Sequence, residues 1–142
     1  MREYNGKIYE EHVPHTMEEL LEIITILRSP EGCSWDREQT HESLKTSLIE
    51  EAEEVIQAID RQDNENLCEE LGDILLQILL HCEIAKERGA FTFSDVIQTL
   101  SEKLIRRHPH VFGNEKRPET PEEALALWKR VKAIEKESGK NS

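Results

Sequence analysis

Positive charge is in short supply in this chain. Its 142 residues hold 18 Lys and Arg against 30 Asp and Glu, a formal charge of -12. That balance argues against a nucleic-acid binder, because a phosphate backbone needs clustered basic side chains, and equally against an anionic membrane surface as partner. Long apolar stretches are absent too, and none reaches the roughly 18 residues of a membrane span. Residues 1–14 are polar and mixed in charge and do not read as a signal peptide. Cysteine is confined to Cys33, Cys68 and Cys82, an odd count without a C-x-x-C pair, as expected for free thiols in a reducing cytoplasm. Six glycines and five prolines are too few for the many tight turns of a β protein, so composition favours helices. What the chain does have is 37% hydrophobic residues, enough at this length for the core of one domain without disulfides.

The punctuation predicts an all-α bundle of about five helices over residues 16–137, after an N-terminal arm (1–15) and before a disordered tail (138–142). Thr16-Met-Glu-Glu19 reads as a capping box opening a first helix that stops near Arg28, before Ser29-Pro30-Glu31-Gly32. Thr40 is the expected cap of a second helix to about Arg61. Asp63 or Asn64 starts a third, which runs to about Arg88 with Gly89 just past its end. Ser94 caps a fourth, halted by His108-Pro109. Thr120-Pro-Glu-Glu123 opens a fifth, to about Lys136. The short connection between the second and third helices makes them antiparallel neighbours.

At about 100° per residue, the second helix carries an apolar stripe of Leu44, Leu48, Ala52, Val55, Ile56 and Ile59. Glu51 borders that stripe, Glu54 lies one turn further on the same side, and Glu53 points away. The third helix is apolar nearly all round from Leu71 to Ala85, the pattern of a helix covered on most sides. One polar stripe interrupts it: Glu70, Asp73, Gln77 and His81, stacked along a single face. An isolated acid pair at such spacing is ordinarily a solvated face. Here two pairs fall on consecutive helices beside core positions, where a carboxylate is costly unless paired or bound to a cation. Glu51, Glu54, Glu70 and Asp73 could then converge, and an all-oxygen donor set suits Mg²⁺ or Mn²⁺ better than Zn²⁺.

On the fourth helix, Lys103 and Arg107 share a face with Val96, Leu100 and Leu104, whereas Arg106 points away. Basic groups on a core-facing side need an anion, either a structural salt bridge to the acids above or a phosphate beside a metal. Trp35 and Trp128 read as core residues or as surfaces for base stacking. His81 is expected to be a buried, hydrogen-bonded imidazole rather than a ligand, and Cys68 and Cys82 to be small core residues. His108 and His110 are expected to fix the helix end around Pro109.

Leu48-Ile-Glu-Glu-Ala-Glu-Glu-Val-Ile-Gln-Ala-Ile59, followed by Glu69-Glu-Leu-Gly-Asp-Ile-Leu-Leu-Gln77, resembles the MazG nucleoside triphosphate pyrophosphohydrolases, whose signature is E-E-x-x-E followed by E-x-x-D. Ser29-Pro-Glu-Gly-Cys-Ser-Trp-Asp-Arg-Glu-Gln-Thr40 and Lys103-Leu-Ile-Arg-Arg-His-Pro-His-Val-Phe-Gly113 are similar to further stretches of that family, as is the W-x-x-x-K element Trp128 to Lys132. The likeness covers roughly residues 16–136. One departure is Ser34, where the family usually has Pro.

The resemblance implies an all-α fold, assembly into a homodimer or homotetramer, and Mg²⁺-dependent hydrolysis of NTPs or dNTPs to the monophosphate and pyrophosphate, a house-cleaning activity. It implies metal ligation by Glu51, Glu54, Glu70 and Asp73, phosphate contacts from Lys103 and Arg107, and nucleotide contacts from Trp128 and Lys132. Glu50 is the expected residue for orienting or deprotonating the attacking water, with a solvated surface Glu as the other reading. Two alternatives stand beside this activity: a base-specific pyrophosphatase of the dUTPase or dCTPase kind, and a non-catalytic helical dimerisation or regulatory module.

Overall fold

The computed structural model describes residues 1–139. The expected frayed tail lies outside the described residues from position 140 onward. The described residues are mostly helical, with a two-stranded antiparallel hairpin, β1 (Glu3–Tyr4) and β2 (Lys7–Ile8), ahead of seven helices. These are α1 (Met17–Arg28), α2 (Ser34–Glu38), α3 (Lys45–Asp60), α4 (Asn64–Glu87), α5 (Phe93–Arg107), α6 (Pro109–Phe112) and α7 (Pro121–Glu137). The five expected helices are α1, α3, α4, α5 and α7. The additions are two short helices, α2 and α6, and the hairpin within the arm. Asn5 and Gly6, with φ of 52° and 78°, make the hairpin's two-residue turn, for which Asn-Gly is the preferred pair.

The chain divides into two compact units, one of residues 1–93 and one beginning at Ser94. In the first, α3 and α4 form a helical hairpin through residues 61–63. Asp63 caps α4 by accepting a hydrogen bond from the Asn66 amide at 3.1 Å. The core gathers Ile24 of α1, Leu44 at the cap of α3, and Leu79, Leu80 and Ile84 of α4, with Leu20, Leu21, Leu75 and Phe93 packed against it. Arg28 ties the end of α1 to its surroundings. It donates to both oxygens of Glu87 at 2.7 and 2.9 Å and to the Asp36 and Gln39 carbonyls at 2.6 and 3.0 Å, which anchors α2 and the segment leading to α3.

Not every apolar position is covered within the chain. Leu48, Ile56 and Ile59 of the expected α3 stripe are exposed, as are Leu71, Leu76 and Ile78 of α4, while Leu44 and Ala58 are buried. Cys82 is buried but Cys68 is exposed. Among the described residues no helix is long and apolar enough to cross a membrane.

In the second unit, Thr120 caps α7 by accepting from the Glu123 amide at 3.2 Å, and the Glu123 carboxylate accepts in turn from the Glu119 amide at 3.0 Å. Thr120→Ala should cost about 1 kcal/mol, read as a lower denaturant midpoint with unchanged slope.

Candidate metal centre and nucleotide-contact residues

Glu51 and Glu54 project from α3, Glu70 and Asp73 from α4. One carboxylate oxygen from each comes together, all four within 4.8 Å of one another. Spacing of i, i+3 places each pair on one side of its own helix, and the antiparallel hairpin brings the two pairs face to face. Glu51, Glu70 and Asp73 are half-buried and Glu54 is exposed.

The electrostatics are those of a site short of positive charge. Burial, followed by the charges of Glu54 and Asp73, raises the Glu51 carboxyl above its ordinary value. A hydrogen bond shared with Glu54, then burial and the charges of Glu54, Asp73 and Glu51, pushes Glu70 up to about 7. Glu51 Oε2 and Glu70 Oε2 are buried without a hydrogen-bond partner. Buried acceptors are seldom left so. Two orphaned oxygens, like charges gathered in one place and an all-oxygen donor set together fit a hard divalent cation such as Mg²⁺ or Mn²⁺.

Glu50 is exposed on α3, adjacent in sequence to Glu51. Trp35 is 61% exposed on α2, which excludes the core role and leaves its indole open to solvent. Further along the polar stripe of α4, Gln77 is buried with its Oε1 unpartnered. His81 shares a hydrogen bond with His41, Nδ1 to Nδ1 at 2.7 Å, with the rings stacked 5.0 Å apart. Burial, then the neighbouring His41, lowers the His81 pKa.

The second unit holds a group of cations around an indole. Arg107 is 4% exposed at the end of α5. Its guanidinium carbon lies 4.8 Å from the centroid of Trp128, and Lys132 Nζ lies 5.1 Å from the same centroid. Lys103 is half-buried one turn earlier on α5. Arg107 also donates from Nε and Nη2 to Glu135 Oε2 at 3.2 and 3.0 Å, and Arg106 donates to the other oxygen of that carboxylate. Arg107 and then Arg106 hold the Glu135 carboxyl down to about 2. The structural partner of Arg107 is therefore Glu135 of α7. Arg106, expected to point away, turns inward because a long, flexible stem can cross the 100° between successive residues to reach a buried anion. Glu135 is the residue missed in the sequence, although Trp128, Lys132 and Glu135 follow i, i+4, i+7 on one face.

A helical domain built around two acid pairs on a helix hairpin is the class that this fold and this cluster define. Residues 39–112 match the family model described as the MazG nucleotide pyrophosphohydrolase domain, and the chain belongs to that family. It is 58% identical over 125 residues to the nucleoside triphosphate pyrophosphohydrolase/pyrophosphatase MazG of Thermotoga maritima, covering 88% of this chain and 47% of that protein. It is 43% identical over 121 residues to the nucleoside triphosphate pyrophosphohydrolase of Escherichia coli K12, covering 84% of this chain and 46% of that protein. The chain thus spans about half the length of these curated relatives. The crystal structure of a mazG-related protein from Thermotoga maritima matches with a TM-score of 0.67 and 38% identity, over 82% of this chain and 99% of that one.

Proposed function

We propose that this chain hydrolyses nucleoside triphosphates, NTPs or dNTPs, to the monophosphate and pyrophosphate, with Mg²⁺ held by Glu51, Glu54, Glu70 and Asp73 and Mn²⁺ as a substitute. The observation that carries the reading is the convergence of those four carboxylates within 4.8 Å in a chain of the MazG family. Water adds to the α-phosphorus, the bond from that phosphorus to the bridging oxygen breaks, and pyrophosphate leaves. The bound cation would neutralise phosphate charge and acidify a water molecule. The chain's own residues do the positioning. The acid quartet fixes where the cation sits, Glu50 orients the attacking water or takes its proton, and Lys103 and Arg107 offset charge on the phosphates. Trp128, Lys132 and Trp35 contact the nucleoside. Arg107 enters this role with two of its N–H groups already committed to Glu135, so its direction is set before substrate arrives.

The apolar side chains left exposed on α3 and α4 support assembly with a second copy, as a homodimer or homotetramer, since association would take them out of water. The free thiols and acidic surface are in keeping with a cytoplasmic setting.

The test is pyrophosphate release from the eight common NTPs and dNTPs, with Mg²⁺, with Mn²⁺ and with chelator. Release should require the metal. Turnover of a single base would favour the base-specific alternative. No turnover, together with no metal-dependent nucleotide binding by calorimetry, would leave the non-catalytic module.

A further inference from the structure

His41 and His81 meet inside the first unit. His41 lies in the turn of residues 41–44 that leads into α3, and His81 lies on α4, two turns beyond Asp73. Their Nδ1 atoms are 2.7 Å apart and part-buried, and the rings are parallel to within 4°. A hydrogen bond at that distance needs one Nδ1–H and one Nδ1 lone pair. The two neutral rings therefore hold opposite tautomers: the donor ring keeps its lone pair at Nε2 and the acceptor ring its proton there. One added proton is tolerated, because it enters at the donor's Nε2 and leaves the bridge intact. A second finds only the bridging lone pair. Two N–H groups would then point at each other between two positive rings, and the contact is lost. His81 resists charging for a further reason. Its Nε2 is buried without a hydrogen-bond partner, and burial, then His41, holds its pKa below the ordinary imidazole value.

The charges around the pair are mostly engaged elsewhere. Glu42, next to His41 in the chain, interacts with His41 and with Arg88 beyond the end of α4. α3 opens on an exposed Lys45. α1 meets α4 through Thr25 with Glu83 and Arg28 with Glu87, and Glu83 also pairs with Lys86. Asp36 of α2 acts on Arg28, and Phe93 of α5 packs nearby as an apolar group. The geometry points to a proton-operated latch: the His41–His81 bond holds the turn that leads into α3, the helix of Glu51 and Glu54, against α4, and acid opens it once both rings are charged. This is independent of the activity proposed above. An unfolded chain binds protons at both histidines below about pH 6.5, whereas the latched state holds one at most. The stability that the latch contributes is therefore fully present above that pH and lost as pH falls through it, by up to roughly tenfold in the folding equilibrium constant per pH unit.

Two measurements test the latch, and neither needs substrate. Nitrogen-15 NMR of the wild-type imidazoles at pH 7.5 should find one ring of the pair protonated at Nδ1 and the other at Nε2. The same tautomer in both rings overturns the proposal. The second is chemical denaturation at pH 7.5 and pH 5.5. His41→Ala should be less stable than wild type at pH 7.5, by a gap that shrinks by up to roughly tenfold in equilibrium constant at pH 5.5. His41→Asn places an amide, both donor and acceptor, near the position of Nδ1. That bond survives protonation of His81, whose Nδ1–H then donates to the amide oxygen. His41→Asn should therefore stay close to wild type at pH 7.5 and lose less of its stability at pH 5.5. Other groups that titrate in this range, Glu70 among them, are common to all three proteins, so the differences between proteins carry the result. A gap between wild type and His41→Ala that does not change with pH would make the contact structural only. His41→Asn losing as much as wild type in acid would trace the loss to the burial of His81 alone. Either overturns the latch.

Discussion

Asp73→Ala should lower metal-dependent pyrophosphate release by roughly a thousandfold, the scale of losing one essential charge-stabilising group from a preorganised site, while the helical circular dichroism spectrum stays that of the wild type. Glu54→Ala should do the same. The physical reason separates this loss from misfolding. The four carboxylates crowd within 4.8 Å, and the charge of Asp73 is among the causes that raise both Glu51 and Glu70. Removing it relieves repulsion, so the metal-free variant should melt at or above the wild-type temperature. The increase in melting temperature that Mg²⁺ gives the wild type should disappear. Loss of activity with no loss of stability is the signature of a site held together against its own electrostatics. Glu53→Ala, on the exposed side of α3, should leave both activity and the Mg²⁺ shift in place. Release at the wild-type rate by Asp73→Ala would end the metal assignment.

The acid quartet was legible in the sequence because it depends only on helical spacing and a short connection. Two i, i+3 pairs on helices joined by residues 61–63 have few other ways to fall. Helix limits marked by caps were legible for the same local reason: Thr16, Asp63 and Thr120 all accept the expected amide hydrogen bonds. The starts of α3 and α5 were not: α5 already begins at Phe93, ahead of the expected cap Ser94. Thr40 and Ser43 exchange hydrogen bonds across a turn, and the regular helix begins only at Lys45, so a residue suited to capping closed a turn ahead of the helix. The short helices α2 and α6 span about one turn each, too little for a period to show. The apolar stripe of α3 misled in another way. Periodicity shows that Leu48, Ile56 and Ile59 share a face, but not what covers it, and among the described residues all three stay exposed. The partner of Arg107 needed a contact between α5 and α7 that no spacing within either helix encodes.

That partner sets up a second large effect. Glu135→Gln should destabilise the unit beginning at Ser94 by more than Thr120→Ala does, because it leaves a buried guanidinium and its half-buried neighbour without a counter-charge. The acid dependence fixes the sign. With its carboxyl held down to about 2, well below its value in an unfolded chain, Glu135 contributes stability that is fully present above about pH 4.5. That contribution fades as pH falls from there toward 2. Wild-type protein should therefore lose stability through this window, and Glu135→Gln should show a shallower dependence across it, followed by chemical denaturation at a series of pH values. The same variant separates charge from position in nucleotide binding. The substitution leaves the group around Trp128 more positive by one charge. If phosphates were held by net charge alone, KM would fall. In the proposed function Arg107 acts through a direction fixed by Glu135 while lying 4.8 Å over Trp128. On that account KM should rise several-fold despite the added positive charge, with Glu135→Asp intermediate, and a KM below that of the wild type would show that the carboxylate restrains binding instead of orienting it.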